Sequence, residues 1–185
     1  MKTLVLFSSA NHQGNTAQVI ERVSQHIDME IINIDQLSIS AYNYENQYPN
    51  DDFYPLVEKI LQTNNVIFAS PVYWHAPTAA MKAFIDRITE LTGVAALKPK
   101  ARALASKRAF VLTSSANAVI CPVFDQMFSK IFGYFNMQYA GKLHADCREN
   151  ITINPRELDT FISALLAKPL ERSITHLSTD SNVSN

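Results

Sequence analysis

The sequence predicts an α/β fold, a three-layer sandwich in which a five-stranded parallel sheet carries helices on both faces. Short unbroken apolar runs end in small polar residues, as is typical of strands that are covered on both faces. These runs alternate with segments whose apolar residues recur every three or four positions, the spacing of amphipathic helices. Elements that alternate in this way form right-handed βαβ crossovers, and a chain of 185 residues is long enough for one such domain.

The apolar runs give the predicted strands in chain order. The strong ones cover residues 4–7, 66–69 and 110–112, and weaker ones cover 31–34 and 139–145. Helical spacing of apolar residues predicts helices over 17–27, 53–61, 81–91 and 158–166. The third helix is predicted to start a few residues before its first spaced apolar residue, at Pro77 or Thr78.

A further helix is predicted over residues 123–135, and its apolar residues spread too far around it for a helix that packs on one side only. A large apolar patch on a protein surface generally marks an interface. This helix therefore predicts a homodimer.

Two segments fall outside the alternation. Residues 36–52 form a long connection that contains Tyr42, Tyr44 and Tyr48, which either roofs a bound ligand or packs on itself. Nine of the thirteen residues over 173–185 are Ser, Thr, Asn or Asp, and such a segment buries too little apolar surface to stay ordered alone. We therefore expect one domain over residues 1–167 and a flexible polar tail over 168–185.

Charge and composition exclude several classes of partner. The chain has 16 Lys plus Arg against 17 Asp plus Glu, so we expect no nucleic-acid partner and no anionic membrane surface. Cys121 and Cys147 lack metal-ligand spacing and are expected to be reduced thiols, with no metal site. The first apolar run is too short for a signal peptide, so we expect a cytoplasmic protein without a membrane anchor.

The loop after the first strand has the features of an anion site. It runs from Ser8 to Thr16 and leads into the first helix, where free N–H groups and the helix dipole favour a phosphate. Gly14 is its only glycine and no Lys follows it, so the loop is neither a Walker A motif nor a dinucleotide fingerprint. The alternative is an ordinary polar loop with a capping residue.

Two further loops leave the same edge of the predicted sheet. The third strand ends in Ser-Pro-Val-Tyr-Trp-His, residues 70–75, and the fourth ends in Thr-Ser-Ser-Ala-Asn, residues 113–117. Ligands of open α/β sheets bind in this crevice, where a planar ring can stack on Tyr73 or Trp74. Each loop taken alone is equally compatible with simple packing.

These loops, together with Met-Lys-Ala-Phe-Ile-Asp-Arg at residues 81–87, make the chain similar to the NADPH-dependent FMN reductase and quinone reductase group of flavodoxin-like proteins. The resemblance runs from Met1 to about Leu166. It implies a flavodoxin-like strand order of 2-1-3-4-5, with FMN at the switch point. It also implies NAD(P)H as co-substrate and a small electron acceptor such as a quinone or free flavin.

The resemblance also assigns roles to residues. The FMN phosphate is assigned to Ser9, Asn11, Gly14, Asn15 and Thr16, and the ring and ribityl chain to Pro71, Val72, Tyr73 and Trp74. The pyrimidine side of the ring is assigned to the segment with Ser114, Ser115 and Asn117. Members of the group often have Gly-Ser-Pro-Arg where this chain has Ser-Ser-Ala-Asn at residues 8–11, so the Arg is missing and His12 is its possible substitute.

The predicted chemistry needs no obligatory catalytic residue, because the flavin itself accepts the hydride. Reduction of a quinone also needs protons, for which Tyr73 and His75 are the candidate donors. Two charged groups have open roles. Asp86 and Arg87 either tie two subunits together or form solvated surface pairs, and the basic residues of 98–108 either meet the 2′-phosphate of NADPH or are simply solvated.

Two other functional classes remain open from the sequence. A flavodoxin-type electron carrier has the same cofactor but no nicotinamide site, and such carriers tend to be strongly acidic, unlike this chain with its net charge of −1. A flavin-free α/β domain would use the first loop for another phosphate.

Overall fold

Six strands form one sheet in the computed structural model, which describes residues 1–168. The strands are β1 (Thr3–Phe7), β2 (Glu30–Asn33), β3 (Asn65–Pro71), β4 (Arg108–Ser115), β5 (Gln138–Asp146) and β6 (Thr152–Ile153). Their order is β2-β1-β3-β4-β5-β6. The tail predicted over 168–185 lies outside the described residues except for Lys168.

The first five strands are parallel, and their order confirms the predicted flavodoxin-like sheet. The sixth strand is an addition, antiparallel to β5, with Ala145 opposite Ile153 and Asp146 opposite Thr152. It has only two residues. A strand of that length has no periodicity that a sequence pattern could reveal.

Helices connect the strands. They are α1 (Asn15–Ser24), α2 (Phe53–Leu61), α3 (Ala79–Arg87), α4 (Glu90–Gly93), α5 (Lys98–Ala103), α6 (Pro122–Tyr134) and α7 (Pro155–Leu166). Single 3-10 turns occupy Ile34–Gln36, Ala95–Leu97 and Leu104–Ser106. No helix within residues 1–168 combines the length and the hydrophobicity that a membrane span requires.

The sheet separates two hydrophobic cores. Alternate residues of β1 point to opposite faces, so Leu4 and Leu6 join one core while Val5 and Phe7 join the other. The first core includes buried side chains of α2, α3 and α6, and the second includes those of α1 and α7. This arrangement is the predicted three-layer sandwich.

The helix predicted over 81–91 is divided in the structure. Thr78 caps α3 by accepting a hydrogen bond from the Met81 N–H at 3.3 Å, and α3 ends at Arg87. The Ile88 N–H then bonds the carbonyls of both Phe84 and Ile85, as in a helix end that tightens, before α4 begins.

The long connection packs on its own chain. The Ser38 N–H donates to Asp52 at 2.8 Å and the Ser40 N–H donates to Asp51 at 3.0 Å. The Tyr48 ring lies 3.1 Å from the guanidinium carbon of Arg87, measured to the ring centre. These contacts are those expected of the self-packed loop.

Arg87 corrects one of the sequence expectations. Its side chain is fully buried and bonds Asp51 and Glu90, so it belongs neither to a solvated surface pair nor to a contact between subunits. Asp86 does form a surface pair, with Lys82 one turn earlier on α3. The sequence groups Arg87 with Asp86, its neighbour on the helix. In the structure, the partners of Arg87 are instead Glu90 on α4 and Asp51 in the long connection.

The basic stretch over 98–108 also differs from the expectation at its end. Lys107 is buried and donates to the carbonyls of Leu61 and Thr63, and Arg108 is buried and donates to those of Ala164 and Ala167. Burial lowers the pKa of both side chains. These two cations satisfy carbonyls at the amino end of the sheet, so neither is a simply solvated charge.

Helix α6 has the wide apolar coat that the sequence predicts. Phe124, Phe128 and Phe132 are fully buried in the first core. Val123 is 60% exposed and Tyr134 is 69% exposed. The described residues of the chain therefore leave part of this coat uncovered.

Candidate functional site

Three loops and the end of β5 meet at the carboxyl edge of the sheet. The parallel register aligns Pro71 with Ser114, and Ser115 with Asp146. The loops enclose a cavity of about 300 Å³. It is lined by Ser9, Asn11, Gly14, Asn15, Thr16, Pro71, Val72, Tyr73, Ser114, Ser115, Ala116 and Cys147.

The structure thus brings together most of the residues that the sequence singles out. Trp74 and Asn117 lie outside this lining. Ala116 lines the cavity from within the predicted third loop, and Cys147 lines it without having been predicted. No signal in the sequence indicated Cys147, because it follows a strand whose sequence pattern is weak.

The start of α1 forms one end of the cavity. Gly14 occupies the N-cap position, and no side chain caps the helix. Within residues 1–168, no acceptor bonds the N–H groups of Asn15, Thr16 and Ala17. Free N–H groups at the positive end of a helix dipole are suited to an anion such as a phosphate.

The carboxylate of Asp35 binds the start of the first loop. It accepts hydrogen bonds of 2.7 Å from the Ser8 hydroxyl and of 2.7 Å from the Ser9 N–H. It also lies 3.4 Å from Nε2 of His12, which directs His12 toward this carboxylate. The signal in the sequence was a carboxylate just beyond the second strand, at the edge where the loops meet.

The Ser8 hydroxyl joins the first loop to the second. It bonds the hydroxyl of Thr78, the residue that caps α3. The Thr78 N–H in turn donates to the Ser70 hydroxyl at 3.1 Å. The two loops are therefore parts of one buried hydrogen-bond network rather than independent surface segments.

The second loop contains a tight turn. Tyr73 and Ala76 exchange backbone hydrogen bonds of 2.8 and 3.0 Å, and Trp74 and His75 between them have φ values of 49° and 67°. Positive φ at both central residues defines a type I′ turn, which is usually made by Asn and Gly. Because the turn reverses the chain, Tyr73 faces the cavity while Trp74 projects from the tip and is 96% exposed.

His75 is held by a cysteine. Its Nδ1 lies 3.1 Å from Sγ of Cys121, which occupies the N-cap of α6. Of the two predicted proton donors, Tyr73 lines the cavity and His75 does not. Cys121 and Cys147 are both free thiols.

Two hydroxyls of β4 link the third loop to other elements. Ser114 Oγ lies 2.8 Å from Oγ1 of Thr16, and Ser115 Oγ lies 2.8 Å from Nε2 of His144 on β5. Burial lowers the pKa of His144, although the nearby carboxylates of Asp146 and Glu157 act in the opposite direction. The imidazole is therefore neutral at pH 7.

Cys147 lines the cavity beside the third loop, where its N–H donates to the Ser115 carbonyl at 2.9 Å. Burial raises the pKa of its thiol, while a hydrogen bond with the Asn15 side chain acts in the opposite direction. The thiol is therefore protonated at neutral pH, and it contributes a small, weakly polar wall.

Residues 1–145 match the model of the family described as NADPH-dependent FMN reductase. The chain belongs to this family. A Bacillus subtilis protein, YwqN, whose name describes an NAD(P)H-dependent FMN-containing oxidoreductase, is 27% identical over 150 residues, which cover 76% of this chain and 82% of that protein.

Solved structures agree on the fold of this FMN reductase family member. The Trp repressor binding protein of Bacillus subtilis superposes with a TM-score of 0.69 at 23% identity, covering 91% of this chain and 99% of the other. The apo form of the NADH:FMN oxidoreductase EmoB gives a TM-score of 0.63 at 15% identity, covering 89% of this chain and 87% of the other. Both likenesses describe the α/β flavodoxin-like fold.

Proposed function

We propose that the cavity at the carboxyl edge of the sheet binds FMN, and that the bound flavin takes electrons from NAD(P)H and passes them to a small acceptor. The chain's family uses FMN and a reduced nicotinamide, and the protein is accordingly an FMN-dependent NAD(P)H oxidoreductase. The observation that carries the site assignment is the cavity itself, which three loops form beside an uncapped helix.

The phosphate of FMN is proposed to lie at the start of α1. The free N–H groups of Asn15, Thr16 and Ala17 supply donors there, and the amides of Asn11 and Asn15 and the Ser9 hydroxyl supply further polar groups. The missing Arg of the family pattern leaves these neutral donors and the helix dipole as the phosphate ligands. This donor set fits a phosphate because each group can donate a hydrogen bond to oxygen.

The ring of FMN is proposed to lie between the second and third loops. Pro71, Val72 and Tyr73 supply apolar and aromatic surface for a planar ring on one side. Ser114 and Ser115 supply hydroxyls for its polar edge. Trp74 and Asn117, which the family resemblance also assigns to the flavin, do not line this cavity.

Bound FMN supplies the acceptor for a hydride, which carries two electrons and one proton from C4 of the reduced nicotinamide. The residues of this chain bind and orient the ring, because transfer requires the two reacting rings to be stacked in near-attack geometry. For acceptors that also need protons, Tyr73 is the better placed of the two predicted donors. Its side chain lines the cavity, whereas Nδ1 of His75 is engaged by Cys121.

We also propose that the protein is a cytoplasmic homodimer built from one FMN-binding domain over residues 1–167. A groove of about 440 Å³ between α3 and α6 has apolar and aromatic lining from Ile85, Met127, Ile131, Tyr134 and Phe135, and polar lining from Lys82, Asp86, Thr89, Thr92 and Lys130. A second copy would cover the apolar part of this groove together with the exposed part of α6. Sedimentation showing only monomer at micromolar concentration would contradict the dimer.

The function is tested by anaerobic stopped-flow spectroscopy of the FMN-loaded protein. NADH and NADPH are each mixed with it, and quinone, free flavin and an azo dye are then added as acceptors. We expect at least one nucleotide to bleach the flavin and at least one acceptor to restore its colour. If neither nucleotide bleaches a bound flavin, the protein is an electron carrier. If no FMN binds at all, it is a flavin-free domain.

A further inference from the structure

A larger cavity, of about 920 Å³, lies beside the proposed FMN cavity at the same edge of the sheet. The loop that follows β4 separates the two. Ala116 lines the smaller cavity, and Ala118 lines the larger one two residues later. Ser115 and His144, which are joined by their 2.8 Å contact, line the smaller and the larger cavity respectively.

The lining of the larger cavity has an apolar side and a charged side. Val119, Ile120 and Ile153 form apolar surface, and Lys142 and Arg156 supply positive charge. A site with both kinds of lining suits a ligand that has an aromatic base and phosphate groups, and 920 Å³ lies within the range of ligand cavities.

The ion pairs around this cavity leave one cation free. Lys142 pairs with Asp125, and Asp146 pairs with Arg148. Arg156 lies in the first turn of α7, is exposed, and has no carboxylate partner within residues 1–168. Its guanidinium is therefore available for a bidentate contact with a phosphate. Glu157 is the unpaired carboxylate of the lining and opposes an anion.

NAD(P)H, the co-substrate of the proposed reaction, needs a binding site for its adenosine diphosphate half. The nicotinamide must reach the flavin, but a cavity of about 300 Å³ that already takes FMN has no room for a whole dinucleotide. Lys107 and Arg108 cannot supply the phosphate contacts, because both are bound to carbonyls at the opposite edge of the sheet. The adenosine diphosphate half must therefore leave the FMN cavity, and the larger cavity adjoins it.

We propose that the larger cavity binds the adenosine diphosphate end of NAD(P)H, with Arg156 as its phosphate ligand. This inference rests on the proposed function. The base packs on the apolar side formed by Val119 and Ile153, and the nicotinamide end passes over the loop that separates the cavities.

Three variants and a truncated donor test the proposal with the FMN-loaded protein. Arg156→Gln removes the free cation, Glu157→Gln removes the opposing charge, and Arg22→Gln removes an exposed arginine on α1 that has no carboxylate partner within the described chain. Each is assayed with NADPH, with NADH, and with 1-benzyl-1,4-dihydronicotinamide, which has neither phosphates nor adenosine.

We expect Arg156→Gln to raise the KM for both natural nucleotides about five- to tenfold, with kcat and flavin content unchanged. Glu157→Gln should lower the same KM about two- to threefold, because an exposed charge contributes modestly. Neither variant should change the kinetics with the truncated donor, and Arg22→Gln should change nothing. A general disturbance of α7 cannot raise the KM in Arg156→Gln and lower it in Glu157→Gln, because the two residues are adjacent.

A binding measurement supplies a readout that does not depend on activity. ADP is titrated calorimetrically into the FMN-loaded protein, and we expect Arg156→Gln to weaken its binding by the same factor as the KM rises. The inference is overturned if ADP binds both proteins equally, or if Arg156→Gln slows the truncated donor as much as NADPH. In either case bleaching of the wild-type flavin by NADPH would leave the proposed function intact, whereas absence of bound FMN would remove that function itself.

Discussion

Arg87 donates from Nη1 to Oδ2 of Asp51 at 3.0 Å, and both side chains are almost wholly removed from solvent. The contact joins the end of α3 to the long connection that precedes α2, across 36 residues of sequence. Glu90 accepts a second bond from Arg87 at 2.9 Å. Burial alone would raise the pKa of Asp51, but hydrogen bonds from the Ser40 and Phe53 N–H groups and from Arg87 outweigh it and lower that pKa.

Replacing Arg87 by Met should destabilise the fold strongly. The substitution leaves the carboxylates of Asp51 and Glu90 buried without their cation, and removal of one partner of a buried pair costs about 3–5 kcal/mol. The free energy of unfolding in urea measures the loss. Lys82→Gln, which removes the exposed pair with Asp86 on the same helix, is the control and should cost less than about 1 kcal/mol. Equal losses would mean that Arg87 is not the centre of the cluster.

The buried imidazole of His144 should make stability depend on pH. Burial lowers its pKa in the folded protein, so as pH falls below about 6.5 the unfolded chain takes up a proton that the folded chain resists. The free energy of unfolding should therefore fall between pH 7.5 and pH 5.5, above the range in which most carboxylates protonate. His144→Gln should flatten this slope.

Ser115→Ala separates the effect of burial on His144 from that of its hydrogen bond. Loss of the contact with the imidazole should cost about 1 kcal/mol at every pH in this range, while the slope persists because the ring remains buried. A slope that disappears in Ser115→Ala would show that the hydroxyl, not burial, governs the protonation of His144.

Gly14 should matter for cofactor binding because there is little room for a side chain. A Cβ there would lie 3.1 Å from three atoms of Asn11, which belongs to the same loop. Gly14→Ala should push this loop and weaken FMN binding about tenfold, equivalent to about 1.4 kcal/mol, as measured by fluorescence titration of FMN. Gly93→Ala has nothing within 4 Å of the new Cβ, and unchanged affinity is expected.

Trp74 and Tyr73 should respond differently to substitution. Trp74 has φ of 49° and is 96% exposed, so Trp74→Asn relieves an unfavourable backbone conformation and should stabilise the protein by up to about 1 kcal/mol. The affinity of Trp74→Asn for FMN should stay within about twofold of wild type. A large loss of affinity in this variant would show that the turn folds over the flavin.

Tyr73→Ala should weaken FMN binding about three- to tenfold, because it removes contact with the flavin ring.

Most of the sheet could be predicted from local patterns. Strands buried on both faces must be apolar throughout, so runs such as residues 4–7 and 66–69 are distinctive, and helical spacing fills the intervals between them. The position of the three loops could also be predicted, because parallel strands bring their carboxyl ends to one edge of the sheet. Eleven of the cavity's twelve lining residues, all but Cys147, lie in the three predicted loops.

Contacts between distant segments could not be predicted in the same way. Asp35 supports the phosphate loop, and Arg87 binds Asp51, through side chains whose partners lie dozens of residues away. Charged residues usually lie at the surface, so a sequence pattern assigns Lys107 and Arg108 to solvent although both are buried.

The sequence by itself determined the alternation of strands and helices along the chain, the sheet edge at which the loops meet, and the family to which the chain is similar. The tertiary structure decided which of those loop residues face the cavity, which charged groups are buried, and where a second cavity opens beside the first. The physical reason is that hydrophobic periodicity is a local property of the chain. Side-chain direction in a tight turn and the pairing of buried charges depend instead on segments that meet only when the chain has folded.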